Sequence, residues 1–491
     1  MKKQIDTFAS LIASALLLGG TAAADTFEWN ADADGDWTDG SKWTQTDGSS
    51  TRLYPNDPSD VAVFNLTITD DREVTLPSSE INLERIEAGN ANHEWTVTGD
   101  NQLNMRGATS GTKFEVLNGG ILNLDVDVSQ NRNDPGLTGD GVIVVGPGST
   151  FDRGADHVSW LMDGATLTLR VLGSVDNVTI RNGSRLEIGR DNAIEETIQT
   201  NAVGGTIASY GGDRVLDVGY DGTGPTREHS FDGSNGFNLT FNDLVSVFPG
   251  GTADFTYLVD TARFTAAGGV EFGLSNKTYA QQPMRLANGG TFEIAGPSTS
   301  AGPVHFDGSG TLLLNNTTGS ATRTDDLILG RSNNTPAGTA IRLAGTGSTD
   351  SLVIITDNSL VAPGNSIGTL TVGAATFEAG SAFEWEFSGS DSDLLNVLGD
   401  LTIDDSFTLE LIAFGLPPSG TADLMAFTGN FDGDPDAWTI IPPDGLRYDD
   451  IFVTDTSNGT LRITGLVPEP TTLGLVAVGA AMTLTRRRRR Q

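Results

Sequence analysis

The first residues able to do chemistry form an acidic turn near the N-terminus. Asn30, Asp32, Asp34 and Gly35 occupy positions one, three, five and six of a calcium-binding loop, which places oxygen ligands and a sharp turn around one cation. The twelfth position is Ser41, where a complete loop has a bidentate glutamate. One interpretation is a calcium site at Asn30, Asp32 and Asp34. The alternative is a solvated acidic turn, which is favoured because the bidentate ligand is missing. No other cofactor is expected.

Three tryptophans surround the same turn, namely Trp29, Trp37 and Trp43. Exposed indoles stack on sugar rings, whereas packed indoles bury a large apolar area and form a cap. The cluster predicts an N-terminal cap of packed indoles, and a carbohydrate-stacking platform at these three residues is the alternative.

Carboxylate pairs are what polysaccharide cleavage would need, and the chain has four adjacent pairs: Asp70 and Asp71, Asp325 and Asp326, Asp404 and Asp405, Asp449 and Asp450. Neighbouring residues of a strand point to opposite faces, so adjacency alone does not bring two carboxyls to one glycosidic bond. The four histidines have no second metal-type ligand at useful spacing. The sequence therefore nominates no catalytic residue. We therefore expect a protein without enzymatic activity. The alternative is a polysaccharide lyase or a glycoside hydrolase.

Composition excludes two classes of function. The 491 residues include 29 basic and 64 acidic ones, for a formal net charge of −35. Such a chain repels polyanions, so nucleic acid is not an expected partner. The sequence has no cysteine, which excludes disulfides and thiol chemistry.

The N-terminus has the form of a secretory signal peptide. Residues 1–24 combine Lys2 and Lys3, an apolar run from Leu11 to Leu18, and three small residues that end at Ala24. We expect signal peptidase to cleave before Asp25. The protein is therefore predicted to be exported.

The C-terminus combines a proline motif, a short apolar segment and a basic cluster. Val467, Pro468, Glu469 and Pro470 precede the apolar residues 471–485, and the basic cluster consists of Arg486, Arg487, Arg488, Arg489 and Arg490. Prolines interrupt a helix, and arginines stay on the cytoplasmic side of a membrane. As a helix, the apolar segment would span only about 22 Å, less than the hydrocarbon core of about 30 Å. This favours transient membrane insertion over a lasting anchor.

This three-part order resembles the PEP-CTERM sorting domain of Gram-negative bacteria. The resemblance covers residues 467–491 and implies recognition and cleavage by an exosortase at the inner membrane. It also implies delivery to the cell envelope, the outer surface or the extracellular matrix, where exopolysaccharide or envelope components are the expected partners.

Between the two signals, one pattern recurs: a glycine, a small residue, any residue, then apolar, polar, apolar. Three copies are residues 119–124, 164–169 and 183–188, and the copies lie about 16 to 20 residues apart where they are dense. A glycine turn followed by a half-buried strand is one rung of a solenoid. The pattern predicts an all-β parallel β-helix, with tandem β-sandwiches as the alternative.

A second resemblance lies in the last third of the chain. Residues 361–372 read VAPGNSIGTLTV and are similar to the "PGNSpGTLtV" element of autotransporter-like passengers and related PEP-CTERM proteins. Family members are β-helical near this element. Together the two signals and the repeats predict the following domains: a signal peptide with its helix at 1–24, an N-terminal β-rich cap and first rungs at 25–115, β-helix repeats at 116–379, a C-terminal β cap at 380–466, and the sorting signal with a short hydrophobic helix at 467–491.

Taken together, these features predict an exported structural or adhesive protein of the envelope or extracellular matrix. A polysaccharide-binding or polysaccharide-degrading β-helix protein is the alternative.

Overall fold

The computed structural model describes residues 25–468 with short gaps. The gaps are residues 49–50, 65–67, 91, 107–110, 131–134, 153–158, 201–205, 212–213, 217–218, 223–228, 233–238, 242–244, 248–256, 261–262, 267–269, 273–282, 288, 301–303, 323–325, 331–339 and 415–420. By internal contacts the chain divides into two compact units, Met1–Asp176 and Asn177–Gln491. The predicted signal helix and C-terminal hydrophobic helix lie outside the described residues.

The first unit consists of three ladders of parallel strands. The first ladder contains Thr26–Trp29, Val61–Phe64, Arg85–Ala88, Thr112–Val116, Gly136–Gly139 and Trp160–Asp163. The second contains Gly35–Asp36, Arg72–Thr75, Glu94–Thr98, Ile121–Asp125, Val142–Val145 and Thr168–Val171. The third contains Ile81–Leu83, Leu103–Met105, Val128–Gln130, Thr150–Asp152 and Ser174–Arg181. One antiparallel strand, Trp43–Asp47, pairs with Thr26–Trp29 and follows a 3-10 turn at Gly40–Lys42.

Alternation of apolar and polar residues explains why these strands form. Leu122 lies in register with Trp95 on one side and with Ile143 on the other, and all three side chains are at most 1% exposed. Intervening residues such as Asn123 face outward. The apolar side chains of each strand thus pack against the apolar side chains of the neighbouring strands. Full burial of one such side chain contributes about 1.5–3 kcal/mol to stability.

The glycine motif forms the turn that precedes such a strand. Asn118 and Gly119 have φ values of 57° and 67°, and Asn182 and Gly183 have 53° and 83°. Asparagine and glycine tolerate this left-handed conformation better than other residues. The predicted combination of turn and half-buried strand is what the structure has at these copies.

The second unit also contains three parallel ladders. One contains Ile194–Thr200, Gly219–Gly222, Val245–Val247, Val270–Phe272 and Thr299–Ser300. The next contains Arg185–Ile188, Thr206–Ser209, His229–Asp232, Tyr257–Asp260, Pro283–Ala287, Val304–Gly308, Asp326–Leu329, Leu352–Ile355, Ala374–Phe377, Leu401–Ile403 and Phe431–Asp432. The third, here called the Arg342 ladder, contains Arg214–Leu216, Leu239–Phe241, Arg263–Ala266, Thr291–Ile294, Gly310–Leu314, Ile341–Gly345, Leu360–Pro363, Ala382–Ser388, Thr408–Ala413 and Thr439–Ile441.

The end of the second unit is a mixed sheet. Thr369–Val372, Leu394–Val397 and Thr421–Phe427 are parallel, and Gly459–Thr464 and Asp450–Val453 add antiparallel strands. Two short antiparallel pairings complete the described strands, Asp391–Ser392 with Ala382–Ser388 and Leu446–Arg447 with Val467–Pro468. A 3-10 turn lies at Pro435–Ala437.

The all-β prediction is confirmed, and the sheets are largely parallel. The described residues contain no α-helix, and among them no helix is long and apolar enough to cross a membrane. The predicted interval of 16 to 20 residues is found in the second unit, where register partners lie 18 residues apart at Leu343 and Val361 and 20 apart at Phe292 and Leu312. It is too short for the first unit, where the separation is 21 residues at Leu122 and Ile143 and 28 at Ile86 and Phe114. The interval is longer because the chain returns to a ladder only after three strands and their turns.

Candidate functional site

The side chains of the acidic turn at residues 30–35 form hydrogen bonds with neighbouring strands and turns. Asp32 accepts hydrogen bonds from the Thr69 hydroxyl (2.8 Å) and from Arg72 Nε (2.8 Å), and the Thr69 bonds are the main reason why its pKa is lowered. Asp34 Oδ1 accepts the backbone N–H of Glu73 (2.9 Å), and Asn30 Nδ2 donates to the Thr44 hydroxyl (2.7 Å). In the part of the chain that the structure describes, no group of three or more His, Cys, Asp or Glu residues is placed to hold a metal ion. Calcium at this turn stays a prediction.

The three indoles lie in the core. Trp29 and Trp37 are 0% exposed and Trp43 is 6% exposed. Trp43 contacts both other indoles, at centroid distances of 5.0 and 5.1 Å, and Phe64 packs against all three. Stacking on a sugar needs an exposed ring face, so the described geometry is that of a packed cap rather than of a platform.

The sorting motif is only partly described. Val467 and Pro468 form a short antiparallel pair with Arg447 and Leu446. Glu469, Pro470 and the cluster Arg486 to Arg490 lie outside the described residues.

The described residues contain a polar groove that the sequence did not predict, on the Arg342 ladder. It has a volume of about 420 Å³. It is here called the arginine groove, and its lining residues are Arg263, Thr291, Thr311, Leu313, Arg342, Ala344, Gly364 and Asn365.

Strand register brings the two arginines of this groove to one row. Arg263 pairs with Thr291, Thr291 with Thr311, and Thr311 with Arg342. With neighbouring strands about 4.8 Å apart, the row covers about 14 Å. Residues far apart in sequence therefore meet on one rigid surface.

Each arginine of the groove has an acidic partner. Arg263 Nε lies 2.8 Å from Glu293 Oε2, and Arg342 Nη1 lies 2.6 Å from Glu384 Oε1. Glu293 also accepts hydrogen bonds from the Thr265 hydroxyl (2.8 Å) and from Asn315 Nδ2 (2.6 Å). The charge of each arginine is thus compensated by a neighbouring glutamate.

The loop at residues 363–368 forms the edge of the groove, which explains its sequence. Gly364 and Gly345 exchange two backbone hydrogen bonds (2.7 and 2.9 Å). Gly364 has a φ of 93°, and a Cβ atom there would lie 1.7 Å from the Ser366 carbonyl oxygen, so only glycine fits. Asn365 Nδ2 then reaches Asn315 Oδ1 at 3.3 Å.

A cluster of three carboxyls lies beside this loop. Asp393 is 0% exposed and accepts the backbone N–H groups of Gly368 (2.8 Å) and Glu386 (2.9 Å). Burial raises the pKa of Asp393 to about 7, with a smaller contribution from Glu386 and Glu384. Burial also raises the pKa of Glu386, which is 8% exposed and whose Oε2 has no hydrogen-bond partner among the residues that the structure describes.

The carboxyls of this cluster are buried or paired. Glycoside hydrolysis needs two carboxyls that reach the substrate from both sides of one bond. Asp393 and Glu386 are buried, and Glu384 forms an ion pair with Arg342. A polysaccharide lyase or glycoside hydrolase stays an untested alternative.

Replacing Glu386 with methionine is expected to stabilise the protein by about 1 kcal/mol at pH 8, because the buried carboxyl then no longer needs a partner. Urea unfolding measures the change. Glu384→Met is the matched control, since it removes the partner of Arg342 and should not stabilise. A clear loss of stability in Glu386→Met would contradict the prediction.

A second groove lies next to the cluster, between the turn at residues 388–391 and the mixed sheet. It has a volume of about 780 Å³, and its lining includes Ile367, Asp391, Asp423 and Arg462. Arg462 Nε lies 2.6 Å from Asp423 Oδ1. Two aspartates belong to the lining of this hairpin groove, whereas the lining of the arginine groove given above includes no acidic residue.

Sequence reasoning selected residues 361–372, which include Gly364 and Asn365 of the arginine groove, but it selected neither of the two arginines. Its only signal was the apolar and polar alternation, which places Arg263 and Arg342 on the outer face. The register that aligns them could not be read from the chain.

No family model matches the chain, and no curated protein matches it.

Proposed function

We propose that the body of this protein is a parallel β-helix and that the protein is an exported structural or adhesive component of the envelope or extracellular matrix. The observation that supports it is the parallel pairing of three ladders in each unit, with like apolar side chains stacked between successive strands. Such stacks suit a durable scaffold, since they bury a continuous core.

The terminal signals supply the proposed location. A signal peptide at 1–24 and a sorting signal at 467–491 would carry the body outside the cell through signal peptidase and exosortase. Transient insertion of residues 471–485 would precede cleavage near Glu469.

Fractionation of a Gram-negative host that carries an exosortase tests this proposal. We expect envelope or matrix fractions to contain a chain that begins at Asp25 and lacks Arg486 to Arg490, as measured by mass spectrometry. Replacing the five arginines with glutamine should block the processing. An extracellular chain that still ends at Gln491 would contradict the sorting step.

Polysaccharide binding is the second candidate function, and the arginine groove favours it. The groove offers guanidinium, hydroxyl and amide groups on rigid strands, which suits recognition of sugar hydroxyls.

A further inference from the structure

We propose that the arginine groove binds a neutral, hydroxyl-rich glycan. This deepens the second candidate function and rests on it. Glycan binding is measured on the purified chain, separately from export. A failure to bind glycan would therefore leave the proposed export and sorting untouched, and the reverse also holds.

The charge of the groove favours a neutral ligand. Arg263 and Arg342 are each paired with a glutamate, so these four side chains carry no net charge. The whole chain has a formal charge of −35, which repels an acidic polysaccharide. A sugar hydroxyl both donates and accepts hydrogen bonds, and therefore fits a surface on which donors and acceptors alternate.

Arg342 supplies the donors. Among the described residues its partner is Glu384, through one nitrogen, whereas a guanidinium has five N–H donors in a fixed fork. Its side chain is 33% exposed and lines the groove. Donors thus remain for a ligand.

The remaining polar lining suits the hydroxyl-rich edge of a pyranose ring. Thr291, Thr311 and Asn365 offer hydroxyl and amide groups for that edge. Leu313 and Ala344, 6% and 4% exposed, lie beneath these groups. The row of about 14 Å is long enough for a short oligosaccharide rather than a single sugar.

The test is titration of the full-length protein with neutral hexasaccharides derived from β-glucan, mannan and dextran, and with oligogalacturonate as the acidic probe. We expect at least one neutral probe to bind, and Arg342→Ala to weaken that binding at least tenfold. Thr311→Val should weaken it several-fold. Arg462→Ala, in the hairpin groove, is the matched control and should leave the affinity unchanged.

Circular dichroism establishes that each variant is folded, and Thr311→Val keeps the test decisive if Arg342→Ala does not fold. Three outcomes would overturn the proposal. The first is that no neutral probe binds at about 10 mM, a concentration at which a Kd of 1 mM would give near saturation. The second is tighter binding of oligogalacturonate than of any neutral probe. The third is binding whose affinity neither Thr311→Val nor Arg342→Ala changes.

Discussion

Replacing Arg52 with glutamine is expected to lower the free energy of unfolding of the first unit by about 3 kcal/mol at pH 8. Arg52 contacts three carboxylates: Asp25 at 2.9 Å, Asp57 at 3.0 Å and Asp60 at 2.5 Å. The Asp60 side chain is 0% exposed. Without the guanidinium, a buried negative charge would lose its partner and would face two further carboxylates.

The loss should depend on pH, and its direction follows from Asp60. Burial raises the pKa of Asp60 to about 6, from an ordinary value of 3.8. A group with a raised pKa contributes stability that is present below about pH 4 and is lost as the pH rises through about 6. At pH 5 most of the Asp60 carboxyl is protonated and neutral, so the loss of the Arg52 charge costs less free energy. The variant should therefore lose less stability at pH 5 than at pH 8.

Tryptophan fluorescence during urea unfolding measures this loss, because Trp29, Trp37, Trp43, Trp95 and Trp160 all lie in the first unit. Arg106→Gln is the matched control. Arg106 is 45% exposed and lies 3.9 Å from Glu80, and such surface pairs contribute about 0–1 kcal/mol. Equal losses in the two variants, or a loss that does not change between pH 5 and pH 8, would contradict the argument.

The sequence predicted the half-buried character of the strands and the turns before them. It did not predict which strands pair with one another. Alternation at Leu122 and Leu124, with a left-handed turn at Asn118 and Gly119, follows from side-chain direction and backbone sterics, which are local. The distance along the chain to the next partner depends on the lengths of two other strands and three turns. The motif spacing does not contain that information.

The grooves illustrate the same limit for function. The sequence shows Arg263 and Arg342 as isolated bases in an acidic chain, and Glu386 as one of many acidic residues. The two arginines meet on one face because of strand pairing. The burial of Glu386 and Asp393 likewise depends on packing that the sequence alone does not show. The indoles, by contrast, were predicted as a packed cluster because large apolar rings close in sequence have few other ways to leave water.

Replacing Asp393 with asparagine is expected to remove most of the pH dependence of stability that we expect for the mixed sheet of the second unit. The pKa of Asp393 is raised to about 7, so its contribution to stability is complete below about pH 4 and is lost as the pH rises through about 7. Between pH 5 and pH 8 we expect the unchanged protein to lose about 2–3 kcal/mol. Asparagine does not titrate, so its variant should lose much less.

The substitution also has a cost that does not depend on pH. Asp393 accepts two backbone N–H groups with its two oxygens, and asparagine offers only one oxygen, so one buried donor loses its acceptor at a cost of about 1–3 kcal/mol. Hydrogen exchange at the amides of Gly368 and Glu386 measures this directly, because one of them should exchange faster in the variant.

Asp391→Asn is the control for both effects, since Asp391 is exposed and lies on the same hairpin. It should leave the pH dependence and both amide exchange rates unchanged. If Asp393→Asn kept the full pH dependence, Asp393 would not be the group responsible for it. If instead neither amide exchanged faster, the carboxylate of Asp393 would not be the group that holds the amides of Gly368 and Glu386.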